Sequence, residues 1–222
     1  MKKIAFLLSL LIIVLPVFGQ EKDLSFGLAG GLESNNYDFN KTTTGYRNHD
    51  LSSKIAFSTG IEFKYHIHEK IFCKSGLWFY QQGYDVVYNF IALDPGDPLV
   101  PKESELFVIS LQVPLKIGYE FTMLKKIRFN YSAGLIPHYQ LSKNETTIFA
   151  DNSEKESELL SNDLNKFQIG IILDLGVEYH LTDKIYISFI PFLFKSLTKL
   201  NSDLMNSGKI TYGGQIGIQC KL

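Results

Sequence analysis

From Phe167 to Leu181 the chain reads FQIGIILDLGVEYHL. Its odd positions, Phe167 to Leu181, are all apolar. Its even positions (Gln168, Gly170, Ile172, Asp174, Gly176, Glu178, His180) are nearly all polar or glycine. Side chains of a strand alternate between its two faces, so this is a β-strand with one apolar side. It is also far longer than the usual globular strand of about 5–6 residues. The design recurs. In 55–67, Ile55, Phe57, Ile61, Phe63, Tyr65 and Ile67 oppose Ala56, Ser58, Gly60, Glu62, Lys64 and His66. In 107–121 an apolar set running from Phe107 to Phe121 opposes Val108, Ser110, Gln112, Pro114, Lys116, Gly118 and Glu120. The pattern predicts eight strands, at roughly 24–37, 54–67, 71–87, 105–121, 127–141, 166–181, 184–197 and 208–222. Pro114, Pro137 and Pro191 predict bulges or local breaks in their ladders.

The connections alternate in length. Those around His68–Lys70, Thr122–Lys126 and Thr182–Asp183 are short, and those at 38–53, 88–104, 142–165 and 198–207 are long and polar. Short turns at one end and long loops at the other are the layout of an outer-membrane barrel, with the turns periplasmic and the loops extracellular. The fold class predicted is therefore all-β, an eight-stranded antiparallel up-and-down transmembrane β-barrel. Periodicity alone does not say which face is inside; a soluble lipocalin-like binder would turn the apolar set inward. Aromatics at both ends of the apolar faces favour the outward reading. Tyr65, Tyr119, Phe121 and Tyr179 lie at the short-turn end, and Phe107, Tyr139, Phe167 and Tyr212 at the other, like two interfacial girdles. The only tryptophan, Trp78, is in the third strand, so the first-strand Gly-x-Trp of lipocalins is missing.

Composition changes this picture little. A mean hydropathy of +0.01 suits a soluble protein and a membrane barrel equally, because half of each membrane strand is polar. A formal charge of −1 gives no electrostatic case for nucleic acid. Residues 1–19 predict a signal peptide: Lys2 and Lys3, an apolar core from Ile4 to Leu15, then the small residues Val17 and Gly19. The mature barrel domain would then span 20–222, in the bacterial outer membrane after cleavage. Cys73 and Cys220 are read as free strand residues.

The last strand alternates to Leu222. Gln215, Gly217, Cys220 and Leu222 resemble the C-terminal targeting signal of outer-membrane barrels, with leucine in place of the usual final aromatic. The run Phe107–Tyr119 (FVISLQVPLKIGY) is similar to a Pro-Leu strand motif of the PorT-like outer-membrane β-barrel proteins of Bacteroidota. Ser75–Tyr84 (SGLWFYQQGY) is similar to their Gly-Leu-x-Tyr strand, with Gln82 where lysine is common. The resemblance covers essentially the whole mature chain and implies an eight-stranded outer-membrane barrel; most members have no assigned activity.

Candidate chemistry is concentrated on the polar faces. Glu62, Lys64, Lys74, Lys116, Glu120, Arg128, Asp174 and Glu178 all fall in the half near the short turns. Inside a barrel they must pair, and they predict a structural salt-bridge network filling the lumen. Trp78, Tyr80, Tyr186 and Phe192 are candidates to narrow the bore. His66 and His68 share a face but lack a third ligand, and His138 and His180 lie near opposite ends, so no metal site and no cofactor are predicted. Ser110, Ser132 and His138 have the residue types of a hydrolase without a triad's spacing. Tyr37, Tyr46, Tyr88, Phe90 and Phe149 place aromatics on or beside the long loops, where binding on a rigid scaffold usually resides. The sequence thus predicts a non-enzymatic protein acting through its loops, with outer-membrane lipid, the barrel-assembly machinery and an unknown protein at the loops as partners. A narrow channel is the alternative, and a lipocalin-like binder or a lipid-modifying enzyme the third.

Overall fold

The alternating segments form one closed antiparallel sheet. The computed structural model describes residues 24–36, 47–90, 101–158, 166–198 and 210–222; the predicted signal peptide, Tyr37, Tyr46 and most of the 198–207 loop lie outside them. Among the described residues there are eleven strands: β1 (Leu24–Asn36), β2 (Arg47–Ser53), β3 (Ala56–His68), β4 (Ile71–Phe90), β5 (Pro101–Gln112), β6 (Leu115–Leu124), β7 (Ile127–Phe149), β8 (Glu154–Glu158), β9 (Phe167–His180), β10 (Ile185–Ser196) and β11 (Ile210–Lys221). Eight of these positions around the barrel are distinct. β2 and β3 are one staggered strand, β5 and β6 are one strand interrupted at Val113–Pro114, and β8 is an added hairpin arm on β7. β1 pairs with both β3 and β11, which closes the ring.

Tracing the register once around gives the barrel's stagger. Ser25 lies opposite Lys64, and the row continues through Lys74, Lys116, Gly134, Ile172, Phe194 and Thr211. It returns to β1 at Asn35, ten residues beyond its start. Eight strands with a stagger of this kind leave a bore that side chains can fill.

The apolar set faces outward. Leu173, Leu175, Ile216 and Ile218 are 57%, 66%, 63% and 51% exposed, whereas Glu62, Lys64 and Asp174 are almost fully buried. A lipocalin-type interior would need the reverse. Girdle aromatics stack across strands, Tyr119 on Tyr131 at 5.7 Å and Phe121 on Phe129 at 5.8 Å between centroids.

Two of the three prolines interrupt pairing. Pro114 separates β5 from β6, and the β9–β10 ladder skips Ile190 and Pro191. β7 runs through Pro137 unbroken, opposite Ile169; its register shift against β5 falls near Leu141 instead.

The long loops are less loop-like than their polarity predicts. β2, the upper part of β4, β5, the upper part of β7 and β8 continue as a five-strand sheet past the outer aromatic girdle. Within 142–165, β7 and β8 form a hairpin whose turn places Asn152 at φ 61°, the left-handed region that asparagine tolerates. Asp151 braces that turn by accepting bonds from the Ser153 amide at 2.8 Å and hydroxyl at 2.5 Å. Backbone pairing needs no apolar face when both sides of a sheet are in water, so hydrophobic alternation gave no sign of these extensions.

Leu173 tests the outward assignment. Leu173→Arg is expected to cost about 2–4 kcal/mol of folding free energy at mid-bilayer, measured by denaturant unfolding in lipid vesicles. Unchanged stability would contradict a lipid-facing Leu173.

Candidate functional site: the charged lumen

The strand alternation delivers seven of the eight predicted charges into the bore as buried groups; Arg128 sits at the short-turn rim with its side chain 38% exposed. Lys64, Lys74 and Lys116 are direct cross-strand neighbours in a single inward row. Like charges in that arrangement repel, and the four carboxylates neutralise them.

Lys64 is the hub. Its Nζ is 2.5 Å from Glu120 Oε2 and 2.7 Å from Glu178 Oε1. β3 and β9 are four strands apart in either direction around the ring, so the Lys64–Glu178 pair crosses the full diameter of the barrel. The same ammonium lies 4.5 Å from the centre of the Phe72 ring, a cation–π contact that matters more in a desolvated site.

Lys74 pairs with Glu62 Oε2 at 2.8 Å. Lys116 reaches Asp174 Oδ2 at 2.6 Å, passing over β7 where its register partner is Gly134. A Cβ at Gly134 would stand 2.1 Å from the Leu115 carbonyl oxygen and 2.7 Å from Lys116 Cα, so the strands approach too closely there for a side chain. Gly27 plays the same part on β1. Gln219 crosses it to donate to Glu62 Oε2 at 3.1 Å, and a Cβ on Gly27 would meet Gln219 Cγ at 2.4 Å.

Neutral side chains complete the belt. Ser132 donates to Asp174 Oδ1, and Asn130 to Glu178 Oε1 at 2.8 Å. Tyr186 donates to Gln219 at 2.6 Å, and Arg128 to Glu120 Oε1 at 3.0 Å. The structure also adds His66, whose Nε2 is 3.0 Å from Glu120 Oε1. The alternation places His66 on the polar face with Glu62 and Lys64, but weighing it only as a metal ligand beside His68 gave no reason to join it to the charge network. Phe72 was missed for a different reason: the third strand alternates poorly, and only its parity with Lys74 would have revealed it.

Above this belt the bore changes character. Ile136, Ile172, Phe192 and Phe194 cluster on one wall, and Trp78, Tyr80 and Tyr84 are buried on β4. His138 bonds to Gln112 at 3.2 Å and packs 5.0 Å from Phe194, while His180 stacks on Tyr186 at 5.0 Å. Ser132 is thus engaged with Asp174 and His138 with Gln112, and Ser110 lies in register with Gln140. Among the described residues no group of three or more His, Cys, Asp or Glu side chains is placed to hold a metal. Of the C-terminal residues, Gln215 and Gly217 face the bore, and Cys220 and Leu222 face outward.

A family model described as outer membrane protein beta-barrel domain matches residues 18–200. The chain belongs to that family. Its members' setting, the outer membrane, agrees with the exposed apolar belt. Among solved structures the chain is similar to the outer membrane protein OprG from Pseudomonas aeruginosa (12% identity, 90% of this chain and 96% of that one, TM-score 0.57). It is also similar to Neisserial surface protein A (14%, 89% and 97%, TM-score 0.47) and to outer membrane protein W of E. coli (12%, 92% and 100%, TM-score 0.47). The likeness to OprG is one of fold. No curated protein matches the sequence.

Removing one partner of a buried pair strands the other charge. Asp174→Leu is therefore expected to destabilise the barrel by about 3 kcal/mol, followed by the fluorescence of Trp78 during urea unfolding. The double variant Lys116→Met/Asp174→Leu should recover most of that loss. An Asp174→Leu barrel as stable as the wild type would contradict the pairing.

Proposed function

We propose that this barrel is a non-enzymatic outer-membrane component whose bore is a closed structural plug and whose working surface is the extracellular sheet. The observation that carries the reading is the Lys64–Glu178 pair across the diameter, tied on one side to Glu120. Eight strands leave little space, and what remains at that level is occupied by charges that cannot part cheaply. The extracellular sheet is a rigid platform built on the same strands. Its 142–158 hairpin is acidic, with Glu145, Asp151, Glu154, Glu156 and Glu158 against Lys143 and Lys155. At its base Lys54 holds Asp85 at 2.9 Å and Glu105 at 3.2 Å. Tyr88 and Phe90 fall in β4, and Phe149, half-buried at the end of β7, stands where a protein partner could reach it. In this reading the N-terminal segment is a cleaved signal peptide, the chain is a PorT-like member of the family, and Gln215, Gly217, Cys220 and Leu222 serve the barrel-assembly machinery.

A second reading, a narrow conduit, rests on one wall of the bore. The inward face of β1 is small (Gly27, Ala29, Gly31). Around it the buried atoms Ser58 Oγ, Ser188 Oγ, Gln215 Oε1 and Glu62 Oε1 have no protein partner. Buried polar atoms of this kind are solvated by water, which makes this wall the wettest line through the barrel.

Planar-bilayer recording separates the two. The plug predicts no discrete conductance steps from the wild-type protein. Stable steps would overturn it and select the conduit.

A further inference from the structure

The outside of a barrel is convex, yet one part of the lipid-facing wall is hollow. A furrow of about 790 Å³ runs across β6, β7, β9 and β10, with Ile71 of β4 at one end. Its upper bank is a single register row, Ile117–Ala133–Leu173–Leu193. Its lower bank is the next outward row, in which Tyr119 is opposite Tyr131 and Tyr131 opposite Leu175. The hollow exists because Ala133 puts a methyl group where its neighbours put isobutyl or sec-butyl chains. The stacked tyrosines and Pro191 wall it from below.

The direction of the furrow follows from the stagger. A register row climbs toward the extracellular end as it passes from β4 to β10. The Ile71–Tyr119 end is therefore periplasmic, and the Pro191–Leu193 end lies deeper in the bilayer. Four strand spacings of about 4.8 Å give a length of roughly 19 Å. Rows perpendicular to strands tilted about 35–45° rise at a similar angle to the membrane plane. The furrow thus climbs roughly 12 Å, near the depth of one leaflet of a hydrocarbon core about 30 Å thick.

Two strand turns hang below its lower end. Glu69–Lys70 joins β3 to β4, with the Lys70 carbonyl accepting from the Glu120 amide at 2.8 Å; Lys125–Lys126 joins β6 to β7. All three lysines are exposed, and among the described residues none forms a salt bridge. Three cations with one neighbouring acid, beneath an oblique apolar furrow one leaflet deep, match an amphiphile with an anionic head and a hydrocarbon tail. We infer that this wall is a binding site for an anionic phospholipid of the periplasmic leaflet, its phosphate held by Lys70, Lys125 and Lys126 and one acyl chain lying in the furrow over Ala133.

Native mass spectrometry of the folded full-length protein, with phosphatidylglycerol or phosphatidylcholine added at equal concentration, tests this. The wild type should retain one phosphatidylglycerol at least fivefold more than phosphatidylcholine. Lys70→Gln/Lys125→Gln/Lys126→Gln should abolish that preference. Lys184→Gln, in the turn between β9 and β10, should leave it intact. Ala133→Leu fills the furrow without touching the lysines and should reduce retention of both lipids; a heat-dependent gel shift verifies that each variant is folded. Equal retention of the two lipids by the wild type would overturn the site. So would an Ala133→Leu protein that retains phosphatidylglycerol like the wild type, or a Lys184→Gln loss as large as that of the triple variant.

Discussion

Three lysines in one row on the inside of a narrow barrel are the constraint on which the rest of this structure depends. Lys64, Lys74 and Lys116 are direct cross-strand neighbours, and no arrangement of their own strands keeps them apart. Their charges are stable there because each meets a carboxylate: Lys74 meets Glu62 of the neighbouring strand, Lys64 meets Glu120 from two strands away and Glu178 from the opposite wall, and Lys116 meets Asp174 across a glycine. The bare positions Gly27 and Gly134 are part of the same solution: Gly27 leaves room for the Gln219 side chain, and Gly134 lets its strand approach the backbone at Leu115 and Lys116 closely. Desolvating so many charges costs much of what their attraction returns. The network's contribution is thus less net stability than a fixed register and a filled bore, because a strand slipped by one residue would turn its charges into lipid.

That constraint divides the molecule along its axis. The half near the short turns is occupied by ionic pairs. The middle holds aromatic and aliphatic side chains on the β4 and β7–β10 walls. Beyond the outer girdle the barrel continues as a sheet held by backbone pairing, with a small apolar cluster of Tyr84 and Leu106 and the Lys54 ion pairs at its base. The proposed interaction role rests on this division, with ionic pairs filling the bore below and the accessible surface above.

The sequence displayed the barrel clearly, because a closed membrane sheet imposes period-two alternation on every spanning strand. Leu173 beside Asp174 gives both faces of the wall in two residues. Which charges meet was not legible. Pairing across a diameter joins residues such as Lys64 and Glu178, which share no strand and no neighbouring strand, so only the closed ring relates them. Trp78, Tyr80, Tyr186 and Phe192, read from the sequence as candidates to narrow the bore, are all buried; Phe72 lay in a strand where both faces are largely apolar, and there alternation loses its contrast. Ile172 and Phe194 show the same limit: inside this barrel the polar face is partly apolar. The extracellular extensions of β5 and β7 were hidden for the opposite reason, since both of their faces are largely polar.

A double-mutant cycle on Lys64 and Glu178 tests the closed bore most directly. Unfolding free energies would be compared for the wild type, Lys64→Met, Glu178→Gln and the double variant in the same vesicles. A contact across the diameter predicts a coupling energy of about 1–3 kcal/mol. Additive losses, with coupling indistinguishable from zero, would mean that the two side chains do not meet and that the bore is not closed at their level.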